Sequence, residues 1–361
     1  TITLPASASN GDTIIFADYA RNWGTNGIVI DSNGLNYQGD DDTFDVEYST
    51  DGQAVKIVYS DATNGWIPIT DEVVADKGPP ASSNANGIFA YGDTGSAVSM
   101  SNLVSNVGVI GTDVTGVGTA RHTLAACEYG LDKGIFAFGS GLTNISNLVS
   151  NTGVIATDGA GVGTARQNLA ACTYGSDKGI FAFGSGFSNL SNKVSSSGVV
   201  ATDTSGVGTA RAGVAACEYS ADKDKGIVKN GYSGSAQNVS NLVSNTGVVA
   251  TDTTGVGTAT WNGGAAGYGL DKGIFGYGES YVSVTNLVSN TGIVATDTTG
   301  VGTARASLAA PEYGNDKAIF GYGYTGSYTA VSNLVSNAGV VATDTTGVGT
   351  ARSFLGGCSY N

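Results

Sequence analysis

Apolar residues along this chain come in short runs rich in Val, Ile, Phe and Tyr, broken by Gly, Asn, Asp and Ser. Runs bounded by such turn formers predict strands. No window combines a 3.6-residue apolar period with caps, so no helix of any length is predicted. The stretch 122–166 makes the pattern concrete. Thr123–Tyr129 reads as a first strand, small and apolar. Asp132-Lys133-Gly134 reads as a tight turn, in which Gly supplies the positive φ of a hairpin. Ile135–Phe138 is the expected second strand, and a variable loop leads to the third, Asn147–Asn151. After Thr152-Gly153, Val154–Thr157 is the expected fourth.

The same order recurs along the chain. Gly-Val-Gly-Thr-Ala starts at Gly116, Gly161, Gly206, Gly255, Gly300 and Gly347. Five copies end in Arg (Arg121, Arg166, Arg211, Arg305 and Arg352), and Thr260 stands in the fourth. Successive end positions lie 45, 45, 49, 45 and 47 residues apart, a spacing typical of propeller blades. Four strands per period give one sheet per unit, and radial repetition protects the sheet edges. The first unit opens on a second strand at Gly87-Ile88-Phe89. The chain ends on a first strand, Ser353–Asn361, with no second after it. The two halves are expected to complete one blade, because an unpaired terminal strand would expose its backbone groups. The fold class expected is all-β: a six-bladed propeller closed by the C-terminal strand, with Tyr360 close to Ile88.

Residues 1–75 lack the repeat and read as a small β-sandwich or barrel-like module, followed by a linker at 76–86 and the propeller at 87–361. Strands are expected at Thr13–Ala17, Gly27–Asp31, Thr43–Ser49, Gln53–Tyr59 and Trp66–Ile69, with Asn-Gly and Asp-Gly turns between them.

Composition narrows the function. Gly accounts for 56 of 361 residues, which fits many tight turns. The single His, His122, disfavours a His metal centre or a Ser-His-Asp triad. A net charge of −14 argues against phosphate-mediated nucleic-acid binding. No apolar run is long enough to span a membrane. The start, Thr1-Ile2-Thr3, lacks an initiator Met, and the chain is expected to be processed or excised from something longer. No cofactor is expected.

In the repeats, the order Arg, small apolar strand, Ile-Phe-x-Phe/Tyr-Gly, variable loop, strand, turn, strand, Thr-Ala-Arg resembles the kelch repeat of β-propellers over about 87–361. Kelch units usually carry a Gly-Gly pair and a Trp that these units lack. The N-terminal stretch resembles β-modules of bacteriophage virion appendages. The echoing residues are 4–13, Phe16–Ala20, Thr50–Tyr59 and Asp61–Trp66. That likeness implies a virion protein of a tail or capsid fibre on the extracellular virion surface, anchored by its N-terminal module to other virion proteins and often trimeric.

Six Asp residues, Asp113, Asp158, Asp203, Asp252, Asp297 and Asp344, each lie eight residues before the Arg position. They are expected to accept turn amides or pair with Arg rather than hold a metal. Cys127, Cys172, Cys217 and Cys358 share one repeat position and read as small buried hydrophobes. The remaining carboxylates mostly fall in turns such as Asp132 and Asp177. The inserted turn Asp222-Lys223-Asp224-Lys225 reads as neutral, and no catalytic residue is expected. The units differ chiefly between second and third strands, where the loops carry Phe187, Tyr232, Tyr281, Tyr324 and Tyr328, with Trp261 on the same face. Exposed aromatic residues suit stacking on sugars or contact with a protein receptor. The leading expectation is a non-enzymatic host-attachment head. The alternatives are a purely structural decoration, a non-viral extracellular adhesin and a polysaccharide-degrading enzyme.

Overall fold

The computed structural model describes residues 1–41, 46–73 and 85–361. The chain divides into two compact units, Thr1–Gly78 and Pro79–Asn361. It is all-β, with no helix among the described residues. The linker expected at 76–86 lies outside the described residues except for Ala85 and Asn86, which belong to the second unit.

The first unit holds two three-stranded sheets. One joins Ile2–Thr3, Ile28–Asp31 and Val46–Tyr48; the other joins Thr13–Ala17, Gln53–Tyr59 and Trp66–Val73. Strict alternation in Gln53–Tyr59 buries Val55, Ile57 and Tyr59 on one face. These side chains share a core with Leu4, Ile30, Tyr37, Tyr48 and Trp66, which adds about 2 kcal/mol per large apolar side chain. The pairing of Ile2–Thr3, parallel to Ile30–Asp31, was not expected from sequence.

The second unit is propeller-like: six small three-stranded antiparallel sheets arranged about a common channel. Its inner strands are Ala125–Tyr129, Ala170–Tyr174, Ala215–Tyr219, Gly264–Tyr268, Glu312–Tyr313 and Gly356–Tyr360. Gly356–Tyr360 pairs with Asn86–Asp93, in the register Cys358↔Ile88 and Tyr360↔Asn86.

The expected fourth strand is not formed as such. Beyond Thr152-Gly153 the chain makes only isolated bridges, Val149↔Ile155 and Ser146↔Gly159. The physical reason is a side chain. Asn147 turns its amide into the gap and donates to Ala156 O at 3.0 Å and to Asp158 Oδ1 at 2.9 Å. The same bonds recur at Asn102, Asn192, Asn241, Asn286 and Asn333. A buried side-chain amide thus does part of what a strand ladder would do.

Two sets of backbone hydrogen bonds join neighbouring sheets. On one face Asn168 N donates to Thr123 O, Gly213 to Asn168, Asn262 to Gly213, Ser307 to Asn262, Phe354 to Ser307 and Thr123 to Phe354, at 2.7–2.9 Å. All six residues have φ between +52° and +65°. Five are not Gly, so the bonds hold a conformation that side chains disfavour. On the opposite face the turn residues Gly130, Gly175, Ser220 and Gly269 donate to Asp177, Asp224, Asp271 and Asp316, Gly314 donates to Ala85, and Asn361 donates to Asp132.

Side chains complete the sheet interfaces. Five of the six middle strands bulge at an aromatic residue of positive φ, as at Phe138 (φ +63°), and the sixth at Asn230. The buried Phe138 ring packs against the next sheet, and Arg166 of the next repeat lies 4.5 Å over it. That Arg donates to Phe183 O at 2.8 Å and Asn192 Oδ1 at 2.7 Å. The six Asp residues accept from Thr of the preceding connector, as in Thr119 Oγ1 to Asp158 at 2.6 Å; Thr350 to Asp113 joins the last connector to the first repeat. Burial pushes these carboxyls up, but the Thr and Asn hydrogen bonds outweigh it and hold Asp158 and its equivalents below the usual range.

Candidate binding face

The variable loops leave the middle strands beside the connectors. Ser140 N donates to His122 O, Ser185 to Gln167, Tyr232 to Ala212, Glu279 to Trp261, Tyr324 to Ala306 and Asp93 to Ser353, at 2.7–2.9 Å. Loops and connectors therefore share one face, around the mouth formed by Thr123, Asn168, Gly213, Asn262, Ser307 and Phe354. The Asp-Lys-Gly turns lie at the other end of the strands.

The six aromatic residues singled out in the sequence fall into two rows. Phe187 lies 6.3 Å from Tyr232, which lies 5.1 Å from Trp261. Tyr281 lies 6.4 Å from Tyr324, which meets Tyr328 edge-on at 5.5 Å. Phe187, Tyr281 and Tyr232 are exposed, at 50%, 42% and 36%. Tyr328 is held in place by its hydroxyl, which donates to Asp93 Oδ2 at 2.8 Å. A further ring contact, His122 with Phe354 at 6.1 Å, was not expected from sequence.

The first row borders a cleft. Tyr232 and Trp261 line it with Asn168, Ala212, Gly213 and Asn262. Gly213 makes the space: a Cβ there would lie 3.1 Å from Trp261 Cδ1 and 2.8 Å from Asn262 Oδ1, and its φ of +65° disfavours any side chain. Asn168, Gly213 and Asn262 also line the mouth of the channel, so the cleft opens into it. Below the mouth lie Leu124, Leu169, Val214, Leu308 and Leu355, then a floor of Ala and Gly.

Deeper in the channel the sequence reading fails. Glu128, Glu218 and Glu312 are not in turns; all three are buried on inner strands. Glu128 accepts from Thr173 Oγ1 at 2.7 Å and Ser359 N at 3.1 Å. Lys223, expected to be neutral in its turn, is buried and paired with Glu312. Its backbone takes a left-handed φ of +49°, within the only lengthened turn of the set. Burial pushes the Glu128 and Glu218 carboxyls up, and Glu312, hydrogen-bonded to Glu218, pushes the latter further. Burial alone would lower Lys223, but Glu312, Glu128 and Glu218 together hold its ammonium above the ordinary range. Period-2 alternation in Ala-Cys-Glu-Tyr was the available signal: Cys127 and Tyr129 share one face of the strand, so Glu128 lies on the other.

The four cysteines are free and buried, and burial pushes their thiols up, which makes them inert. Cys127 and Cys358 sit under Gly179 and Gly134, each where a Cβ on that Gly would come within 2.5 Å of the sulfur. Among the described residues no group of three or more His, Cys, Asp or Glu is arranged to hold a metal ion, and no helix is long and apolar enough to cross a membrane.

No protein-family model matches the chain, and no curated protein matches it in sequence. Among solved structures it is similar to the one titled "Structure of YjhT", at 12% identity and a TM-score of 0.49, over 66% of this chain and 88% of that one. A likeness that distant carries no functional argument.

Proposed function

We propose that residues 87–361 form a closed, six-bladed, kelch-like propeller, and that the chain is a bacteriophage virion appendage whose propeller is a non-enzymatic host-attachment head. Support for closure comes from the pairing of Gly356–Tyr360 with Asn86–Asp93, and from the two series of inter-sheet bonds that return to their starting points. In this reading residues 1–75 anchor the head to other virion proteins or to copies of itself, as a trimer in the fibre case, on the extracellular virion surface.

One observation carries the attachment reading. Sheets that are near-copies elsewhere differ in the loops of one face, and those loops bear the exposed aromatic rows. The loops differ where the turns opposite stay alike, the pattern expected of a face that meets a ligand. Purified protein labelled for microscopy should bind host cells, and the combined change Tyr281→Ala, Tyr324→Ala and Trp261→Ala should abolish binding while the melting temperature holds. Equal binding by this variant would remove the attachment role.

A second reading, a structural decoration without a ligand, draws on a different feature. Val109, Val154, Val199, Val248, Ile293 and Val340 occupy one repeat position and are all 58–68% exposed. Apolar surface repeated in every unit suits docking onto another virion protein. Charging Val154 and Val199 should then weaken assembly into particles and leave cell binding untouched.

A further inference from the structure

We infer that the cleft between Tyr232 and Trp261 is a subsite for one uncharged pyranose ring of a glycan, whose next residue points toward the mouth of the channel. The inference deepens the attachment reading and rests on it for biological meaning, but the site is argued from its own geometry.

Four features select this ligand class. The first is a stacking surface. Tyr232 and Trp261 are in contact at 5.1 Å, and Phe187 extends the row behind Tyr232. The axial C–H face of a pyranose packs on such rings, and aromatic side chains offer that area at low entropy cost. The second is rigidity. Trp261 O is engaged by Glu279 N at 2.9 Å, Tyr232 N and O are both bonded to Ala212, and Gly213 lies against the edge of the indole. These bonds fix the backbone positions from which the two rings project, which lowers the ordering cost of binding.

The third is the polar complement. Asn168 and Asn262 take part through backbone N–H and C=O in the bonds around the mouth, at 2.7–2.9 Å. Their side-chain amides are what they offer to the cleft. An amide gives both donor and acceptor, which matches the vicinal hydroxyls of a sugar. Asn262 Nδ2 donates to Glu279 Oε1 at 3.2 Å, which orients its carbonyl oxygen away from Glu279. The fourth is charge. No Lys or Arg lines the cleft, while Glu279 stands behind it. An anionic sugar, a phosphate or a sulfate would be desolvated beside a carboxylate with no cation in compensation, so the ring is uncharged.

The Trp wall is particular to one sheet interface. Trp261 follows Thr260, the one connector without Arg, and its neighbours across the interface are the small Ala212 and Gly213. At the corresponding positions elsewhere stand His122, Gln167, Ala212, Ala306 and Ser353, none of them Trp.

The test uses the whole chain and methyl glycosides of glucose, galactose, mannose and N-acetylglucosamine, with sialyllactose as the anionic probe. Saturation-transfer NMR is expected to show transfer to at least one neutral glycoside and none to the sialic acid ring. Trp261→Ala should weaken that signal at least about tenfold, which is 1.4 kcal/mol. Trp261→Phe, which keeps an aromatic face, should retain it, and Tyr281→Ala, in the other row, should leave it unchanged. Loss in Trp261→Ala with recovery in Trp261→Phe separates a binding role from a folding one. Absence of transfer to every neutral glycoside, or transfer that survives Trp261→Ala, overturns the subsite. Cell binding distinguishes this from failure of the attachment reading: cells bound while no neutral glycoside binds leave attachment standing and remove the sugar site, whereas glycoside binding without cell binding does the reverse.

Discussion

The interface between the sheets at 215–243 and 264–288 departs from the other five, and its departures compensate one another. Where the others stack Arg on a bulged aromatic ring, this one has Thr260 and Asn230. The missing cation is supplied by Lys229, which donates to Asn230 Oδ1 at 2.7 Å and Asn286 Oδ1 at 3.3 Å and lies 5.8 Å over Phe275. Burial lowers its ammonium from 10.5 to about 8, and Asp297 only partly opposes this. The drop of 2.5 between those two values corresponds to about 3 kcal/mol at 1.36 kcal/mol per pH unit. The sign follows from proton counting. Between pH 8 and 10.5 the unfolded chain keeps the proton and the folded chain loses it, so stability rises with pH in that window and the penalty is fully present below 8.

The variant Lys229→Ala, Asn230→Phe, Thr260→Arg restores the arrangement of the other interfaces, whose buried Arg166 and Arg211 titrate only at about 10. Urea unfolding at pH 7.5, 9 and 10 is therefore expected to show wild type gaining roughly 2 kcal/mol more than the variant between the first and last. Thr260→Arg alone places a second buried cation beside Lys229 and should destabilise by about 2–4 kcal/mol. Equal pH slopes for wild type and triple variant, or a single variant as stable as the triple, would show that these positions are not coupled.

Three further outcomes follow from the same geometry. Glu218→Gln should stabilise the protein at pH 8 and have little effect near pH 4, because a carboxyl raised in the folded state costs stability only above its unfolded range; thermal unfolding across pH checks this. Lys223→Met leaves Glu312 buried without its cation and should lower stability by about 3–5 kcal/mol, partly recovered by adding Glu312→Gln. Removing residues 353–361 exposes the edge of Asn86–Asp93 and breaks the Phe354 and Asn361 bonds, so the melting temperature should fall sharply; an unchanged value would refute closure.

Much of this architecture was legible, and the failures have identifiable causes. The repeat, the hairpin turns and the second strands were readable because Gly at positive φ and unbroken Ile-Phe runs leave few alternatives. The fourth strand was misread because Val154–Thr157 has strand composition, yet the Asn147 amide occupies its ladder. The axial carboxylates were missed because residue type alone does not give the face that Glu128 takes on an inner strand. Lys223 was dismissed because a longer turn normally extends into solvent, whereas this one folds back under Glu312. The aromatic rows were found because side chains in loops that differ between near-copies draw attention by themselves. Their division into two rows depends on how far each loop reaches, which sequence spacing does not encode.

The repeats also show which contacts are under constraint. Where the inner strand has Cys, the following middle strand has Gly: Cys358 with Gly134, Cys127 with Gly179, Cys172 with Gly226 and Cys217 with Gly273. Where Ala266 replaces Cys, Ala318 replaces Gly, and the two lie in one core cluster. Volume lost on one sheet is regained on the next, as close packing requires. The exchange of Arg and aromatic for Lys and Asn at 229–260 is the same behaviour in charge. Both compensations cross from one sheet to its neighbour, so selection acts on the interface rather than on the sheet. A propeller-like unit under such constraint has one region free to vary without repacking, the loops beyond the bulged strands. The cleft beside Trp261 lies at the one interface where Arg and its platform were exchanged together.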